Sequence, residues 1–207
     1  MMRIGIYGGS FNPVHNGHTH LAKAAADEFS LDRVIFMPSR ISPHRSSEEY
    51  VSPEHRLAML EIVCKRDKRF EVSDYELNSD RVSYTIYTIE HFHQLYPEDE
   101  LFLLIGSDML MCFDKWRQYK DILALCSLGV VSRNEGDIPL LEEKARSLSE
   151  YGRIFVCKAD AVVVSSTKIR ENCVKNSDFA CYLDENVVEY IMTNSLYTAQ
   201  SDRSADE

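Results

Sequence analysis

Residues 3–18 read Arg3-Ile4-Gly5-Ile6-Tyr7-Gly8-Gly9-Ser10-Phe11-Asn12-Pro13-Val14-His15-Asn16-Gly17-His18. Arg3–Tyr7 alternates and then meets a double glycine, so it reads as a strand running into a tight turn. The Ala-rich stretch Leu21–Phe29 that follows reads as a helix starting near Gly17. In open α/β sheets, ligands bind beyond the carboxyl ends of the strands, which is where this turn lies. Two glycines allow a close approach of backbone to ligand. His15 and His18 stand three residues apart across the helix start, so both can face one point. The unpaired N–H groups of the helix N-terminus face the same point. The arrangement suits a phosphate whose charge rises during reaction, with the histidines donating hydrogen bonds to its oxygens rather than acting as nucleophiles. The bland alternative is a turn histidine and a helix-start histidine with no ligand. A metal held by the pair lacks a third ligand nearby.

Outward from this stretch, strands and helices alternate. Arg33–Met37 reads as a buried strand stopped by Pro38, and Ser52-Pro53-Glu54 as a helix start followed by the buried stripe Leu57, Leu60 and Val63. Phe70–Ser73 is a short strand. Ser83 is expected to cap a helix carrying Ile86, Ile89 and Phe92 that ends before Pro97. Leu101–Ile105 is apolar on both faces, as a central parallel strand requires. Leu128–Ser132 and Arg153–Cys157 are further strands and Pro139–Tyr151 a helix. Two more helices are expected, one starting at Ser166/Thr167 and one over Val187–Met192. The pattern predicts an α/β fold, a doubly wound parallel sheet of the Rossmann-like kind. It is read as one domain over residues 1–197 with a polar tail over 198–207. Residues 40–50 form a long polar loop, a candidate lid.

The 207 residues carry 23 Lys+Arg against 33 Asp+Glu, a formal charge of -10. No basic stripe of the kind that tracks a nucleic-acid backbone is visible, whereas a small phosphorylated ligand needs only a few local donors. Six cysteines without C-x-x-C pairing or zinc spacing read as reduced thiols. No secretion signal or membrane-length apolar run is seen, which gives a cytoplasmic expectation with no membrane partner. His91 and His93 are read as surface residues.

Gly8–His18 resembles the nucleotidylyltransferase signature with the core H-x-G-H. Val164-Ser165-Ser166-Thr167-Lys168-Ile169-Arg170 is similar to that family's second motif, Ile-Ser-Ser-Thr-x-Ile-Arg, with Val in first place. By residue chemistry, the Ser166 and Thr167 hydroxyls at a helix start form a second anion site, to which Arg170 adds a fixed positive fork. Pro43-His44-Arg45 resembles the family's Pro-x-His-Lys segment, with Arg where Lys is usual. Gly106-Ser107-Asp108 resembles its Gly-x-Asp, which implies a ribose contact.

Ser83-Tyr84-Thr85 resembles the Ser-Tyr-Thr of the nicotinate mononucleotide adenylyltransferases, in which a helix start holds the pyridine carboxylate. Tyr87 departs from the Asp expected there. Trp116, the single Trp, matches the family Trp that stacks on the pyridine; a half-buried core indole is its other reading. Arg133 matches an Arg implied to touch the mononucleotide phosphate.

The resemblance implies an enzyme that joins the AMP part of ATP to nicotinate mononucleotide and releases pyrophosphate. It assigns His15, His18, Arg45 and Arg170 to catalysis. ATP is implied to meet Gly8, Gly9, Ser10, Phe11, His15, His18, Gly106, Asp108, Ser165, Ser166, Thr167 and Arg170. The acceptor is implied to meet Asn12, His44, Tyr84, Thr85, Trp116 and Arg133. No residue is assigned to a metal, Mg²⁺ being carried by the substrate phosphates. Nicotinamide mononucleotide or phosphopantetheine as acceptor, and a non-catalytic nucleotide sensor, are the alternatives. A homo-oligomer is left open.

Overall fold

The computed structural model describes residues 1–40, 50–132, 136–157, 162, 164–175 and 177–198. His44, Arg45 and Arg133, most of the 40–50 loop and nearly all of the polar tail lie outside the described residues.

Six strands form one parallel sheet: β1 Arg3–Gly9, β2 Arg33–Pro38, β3 Phe70–Val72, β4 Glu100–Gly106, β5 Ser127–Val131 and β6 Ile154–Cys157. Their order is β3-β2-β1-β4-β5-β6, so the direction of winding reverses between β1 and β4. Ligand crevices in open α/β sheets open at such a reversal.

Eight α-helices cover the faces: α1 Asn16–Glu28, α2 Pro53–Cys64, α3 Thr85–Leu95, α4 Ser107–Met111, α5 Tyr119–Leu125, α6 Ile138–Leu148, α7 Ser166–Val174 and α8 Glu185–Thr193, counted among the described residues. Successive strand residues point to opposite faces, and both faces are apolar. Val34, Phe36, Phe102 and Leu104 pack with α1, α2, α7 and α8, while Ile35, Met37, Leu103 and Ile105 pack with α3 to α6. This is the doubly wound sheet expected from the alternation of elements.

Several boundaries differ from the sequence expectation. Helix α1 begins at Asn16 rather than Gly17, because the His15 side chain is its cap. Ser83 does not cap α3; Tyr84 occupies the cap position, and the Ser83 hydroxyl instead accepts from the Arg40 backbone N–H at 3.2 Å. Ser52 precedes α2, with Pro53 at its first position, but makes no side-chain cap bond. The buried stripe of α2 is Arg56, Met59, Leu60 and Val63, with Leu57 only half-buried. His93 is exposed, but His91 is half-buried and stacks on Tyr75 with ring centroids 3.8 Å apart. Helices α4 and α5, of five and seven residues, are too short to leave a periodic signal.

All six cysteines are free thiols, and burial pushes Cys64 and Cys126 up to about 12. Among the described residues no helix is long and apolar enough to cross a membrane.

Candidate active site

The two histidines cap one another. The His15 backbone N–H donates to His18 Nδ1 at 3.2 Å, and the His18 backbone N–H donates to His15 Nδ1 at 3.3 Å. This is a capping box built from imidazoles, the His18 ring standing where Glu or Gln usually reaches back. The rings lie stacked with centroids 3.6 Å apart and 15° between planes. Each Nδ1 accepts, so the bonding pattern assigns both ring protons to Nε2. The pair therefore presents two N–H donors in a fixed orientation. It also corrects the sequence reading in one respect: the His18 N–H at the helix start is used inside the pair rather than offered to a ligand.

Behind the pair, Phe11 is fully buried and meets the His18 ring edge-on at 5.0 Å. Tyr7 and Phe36 close the cluster around Phe11 at 5.4 and 5.7 Å. Phe11 has φ 46°, a left-handed conformation uncommon for an aromatic residue and a mark of functional turns. The Phe11 ring thus holds His18 from behind, and its burial leaves only backbone at this position facing outward. Gly8 is exposed and Gly9 and Ser10 half-buried at the mouth of the turn. Gly17 has a steric reason: a Cβ there would lie 3.2 Å from His15 ring atoms and 3.3 Å from the Val162 carbonyl oxygen.

The second motif docks on the first. Arg170 Nη1 donates to the Asn12 carbonyl at 3.0 Å, and the Ser166 hydroxyl donates to the Pro13 carbonyl at 3.1 Å. The Ser166 hydroxyl is thereby a strut between the two motifs. Ser165 and Thr167 are exposed at the start of α7. Asn12 is fully buried, and its Oδ1 accepts from the Tyr197 hydroxyl at 2.8 Å and from the Val51 N–H at 3.3 Å. Asn12 thus joins three distant segments beneath the site.

A cavity of about 200 Å³ opens between these elements, lined by His15, Gly17, His20, Ser107, Asp108 and Ser132 among others. It lies between the start of α1 and the carboxyl ends of β4 and β5. Gly106 ends β4, and Asp108 stands exposed in the first turn of α4. Sequence reasoning did not assign His20, Ser107 or Ser132 to the site: Ser107 is the variable position of Gly106-Ser107-Asp108, and His20 and Ser132 carry no local signal.

A second cavity of about 510 Å³ lies beside the start of α3, lined by Tyr75, Glu76, Arg81, Tyr84, Tyr87 and His91 among others. The Arg117 guanidinium sits 4.9 Å over the Tyr84 ring and 5.6 Å over that of Tyr87. Cations over these rings are attracted by the π face. Glu76 is buried and accepts from the Thr88 hydroxyl at 2.5 Å; burial raises its carboxyl above the ordinary range. Thr85 is the first residue of α3. Trp116 is half-buried against Phe113 with ring centroids 5.1 Å apart.

Arg56 is the functional candidate that sequence reasoning passed over. It is 1% exposed, and its Nη1 donates to the carbonyls of Ser10 at 2.9 Å and Ser39 at 2.7 Å. Desolvation by burial lowers its pKa, against the neighbouring Tyr50, Tyr197 and Glu54. Its signal in sequence was positional: an arginine three and four residues before Met59 and Leu60, on the apolar face of α2.

The comparisons with known proteins agree with this geometry. The cytidylyltransferase-like family model matches residues 6–172. A probable nicotinate-nucleotide adenylyltransferase of Shewanella frigidimarina is 33% identical over 95% of this chain and 100% of its own length. One from Methylacidiphilum infernorum is 37% identical over 94% of this chain and 92% of its own. The Plasmodium falciparum nicotinic acid mononucleotide adenylyltransferase, solved in complex with NaAD, superposes with a TM-score of 0.78 at 18% identity, covering 95% of this chain and 98% of that one. The structural likeness shows a shared fold. Taken with the family match over most of the chain and the sequence identities, it leads to one assignment: the chain belongs to the cytidylyltransferase-like family, among the nicotinate-nucleotide adenylyltransferases.

Proposed function

We propose that the chain transfers the adenylyl group of ATP to nicotinate mononucleotide, giving nicotinate adenine dinucleotide and pyrophosphate. The observation that carries this reading is the mutually capped His15–His18 pair, whose Nε2–H donors are fixed at the winding reversal of the sheet. In the reaction, a phosphate oxygen of the mononucleotide attacks the α-phosphorus of ATP in line. A new P–O bond forms as the bond to the β-phosphate breaks, and pyrophosphate carries off the electron pair. The attacking oxygen is already anionic, so no general base is needed. What the protein supplies is position and charge stabilisation. Donors that need no reorganisation as charge builds on phosphate oxygens lower the barrier most. Arg170, clamped to Asn12, adds a cation beside the turn.

Asp108, exposed at the end of β4, suits a ribose hydroxyl. The start of α3 with Thr85, and the indole of Trp116, suit the pyridine carboxylate and ring. His44, Arg45 and Arg133 retain the roles the resemblance implies. Among the described residues no group of three His, Cys, Asp or Glu side chains is placed to hold a metal. Those residues fit Mg²⁺ bound mainly through substrate phosphates, where it would neutralise charge on the triphosphate.

The test is pyrophosphate release from Mg·ATP with nicotinate mononucleotide, nicotinamide mononucleotide and phosphopantetheine in parallel. Strong preference for the nicotinate acceptor is expected. Preference for another acceptor refutes the acceptor assignment, and no release with any of them refutes the enzyme reading.

A further inference from the structure

Arginine is almost never fully buried without an anionic partner. Arg56 is such a case. Among the described residues no carboxylate pairs with it, and its buried Nε has no hydrogen-bond partner. Glu54, two residues earlier on α2, is exposed. The guanidinium lies against the Tyr50 ring at 5.5 Å, and the buried hydroxyls of Tyr50 and Ser39 also lack partners. A buried cation left without a counter-charge is costly, and it persists where something else needs it.

Its location says what that is. The Ser39 N–H donates to the Gly9 carbonyl at 2.9 Å, closing the carboxyl ends of β1 and β2 against each other. Arg56 then takes the next two carbonyls, those of Ser10 and Ser39. Across the same turn, Arg170 takes the Asn12 carbonyl. Two guanidinium groups therefore hold the carbonyls at both ends of Ser10-Phe11-Asn12. Those negative dipole ends are met by cations.

We propose that Arg56 is a positioning residue for the triphosphate: it fixes the Ser10 turn from behind, and the polyanion in front of the turn supplies the counter-charge that no described residue gives it. This inference rests on the adenylyl-transfer reading of the same turn. Charge acts through the turn over several ångströms, because the interior around Arg56 screens it weakly.

The experiment is calorimetric titration of inorganic tripolyphosphate into the parent protein and into Arg56→Lys, Arg56→Gln and Arg56→Met, with circular dichroism to confirm folding. The neutral variants are expected to bind tripolyphosphate more weakly by about 10- to 100-fold, the scale of one unit charge at an effective dielectric of about 20. Arg56→Lys keeps the charge and is expected to stay within about threefold of the parent. Folded neutral variants with parent-like affinity would overturn the inference, leaving Arg56 a strut between two strands. If neither neutral variant folds, Arg56→Lys decides alone: retained affinity supports the charge role, and a folded Lys variant weakened tenfold or more overturns it. Failure of the parent to bind tripolyphosphate at all would refute the phosphate-site reading, and this inference with it.

Discussion

Substituting His18 by Ala and by Gln separates its capping of α1 from its proposed donation to a phosphate. The Ala variant removes the acceptor of the His15 N–H at 3.2 Å, the stack at 3.6 Å and the edge contact with Phe11 at 5.0 Å. A lost cap costs about 1 kcal/mol and the lost ring contacts about 0.5–1.5 kcal/mol more. For a chain of this size that lowers Tm by roughly 3–10 °C. Gln at the same position can reach back to the His15 N–H as in an ordinary capping box, so most of the stability should return. It does not restore an Nε2–H in the plane and place the imidazole gave it. The loss of one transition-state donor costs about 10²–10³ in kcat. The expected result is therefore a split: the Ala variant low in both Tm and kcat, the Gln variant near the parent in Tm but still about 10²-fold down in kcat. Calorimetric unfolding and pyrophosphate release read the two quantities. Parent-like turnover in the Gln variant, or in a folded Ala variant, would refute the donor role and leave His18 a helix cap.

Three further outcomes follow from the same geometry. Gly17→Ala adds a Cβ 3.2 Å from the His15 ring and 3.3 Å from the Val162 carbonyl oxygen, which should displace the stack and lower kcat about tenfold, with no gain in Tm because the disturbed cap offsets the helix preference of Ala; a folded variant with unchanged kcat would contradict this. Trp116→Ala should raise the KM for the mononucleotide far more than that for ATP, and equal effects in steady-state kinetics would make the indole structural. Bonds from the Arg69 side chain depress the Asp67 carboxyl from 3.8 to about 2, so this pair contributes stability above pH 4 that is lost as the pH falls toward 2. Asp67→Asn should accordingly be less stable than the parent at pH 6, by on the order of 1 kcal/mol once solvent screening is allowed for, with the gap in Tm closing near pH 2; a gap independent of pH would exclude the linkage.

The site shows where local reading reaches and where it stops. His15 and His18 were legible because their spacing and the helix start are local facts. That each caps the other, with both protons on Nε2, depends on the ring rotamers set by Phe11 and Tyr7 behind them. Ser166 reads as an anion donor from its place at a helix start; its hydroxyl is spent on the Pro13 carbonyl, 153 residues away, because α7 docks on the turn. Ser83 reads as a cap because Ser commonly is one. The chain entering α3 carries its hydroxyl to Arg40 instead.

Sequence by itself determined the α/β class, the parallel sheet and the turn at which the proposed chemistry sits. Strand apolarity on both faces, glycines at a strand end and helix-start residues are properties of neighbours in the chain. Only tertiary structure decided that Asn12 is a buried junction for Val51, Tyr197 and Arg170, and that Arg56 is sealed behind Ser10 with no carboxylate among the described residues against it. A buried polar group takes its meaning from the partners that folding brings to it. Those partners lie 39, 185, 158 and 46 residues away, beyond the reach of any local pattern.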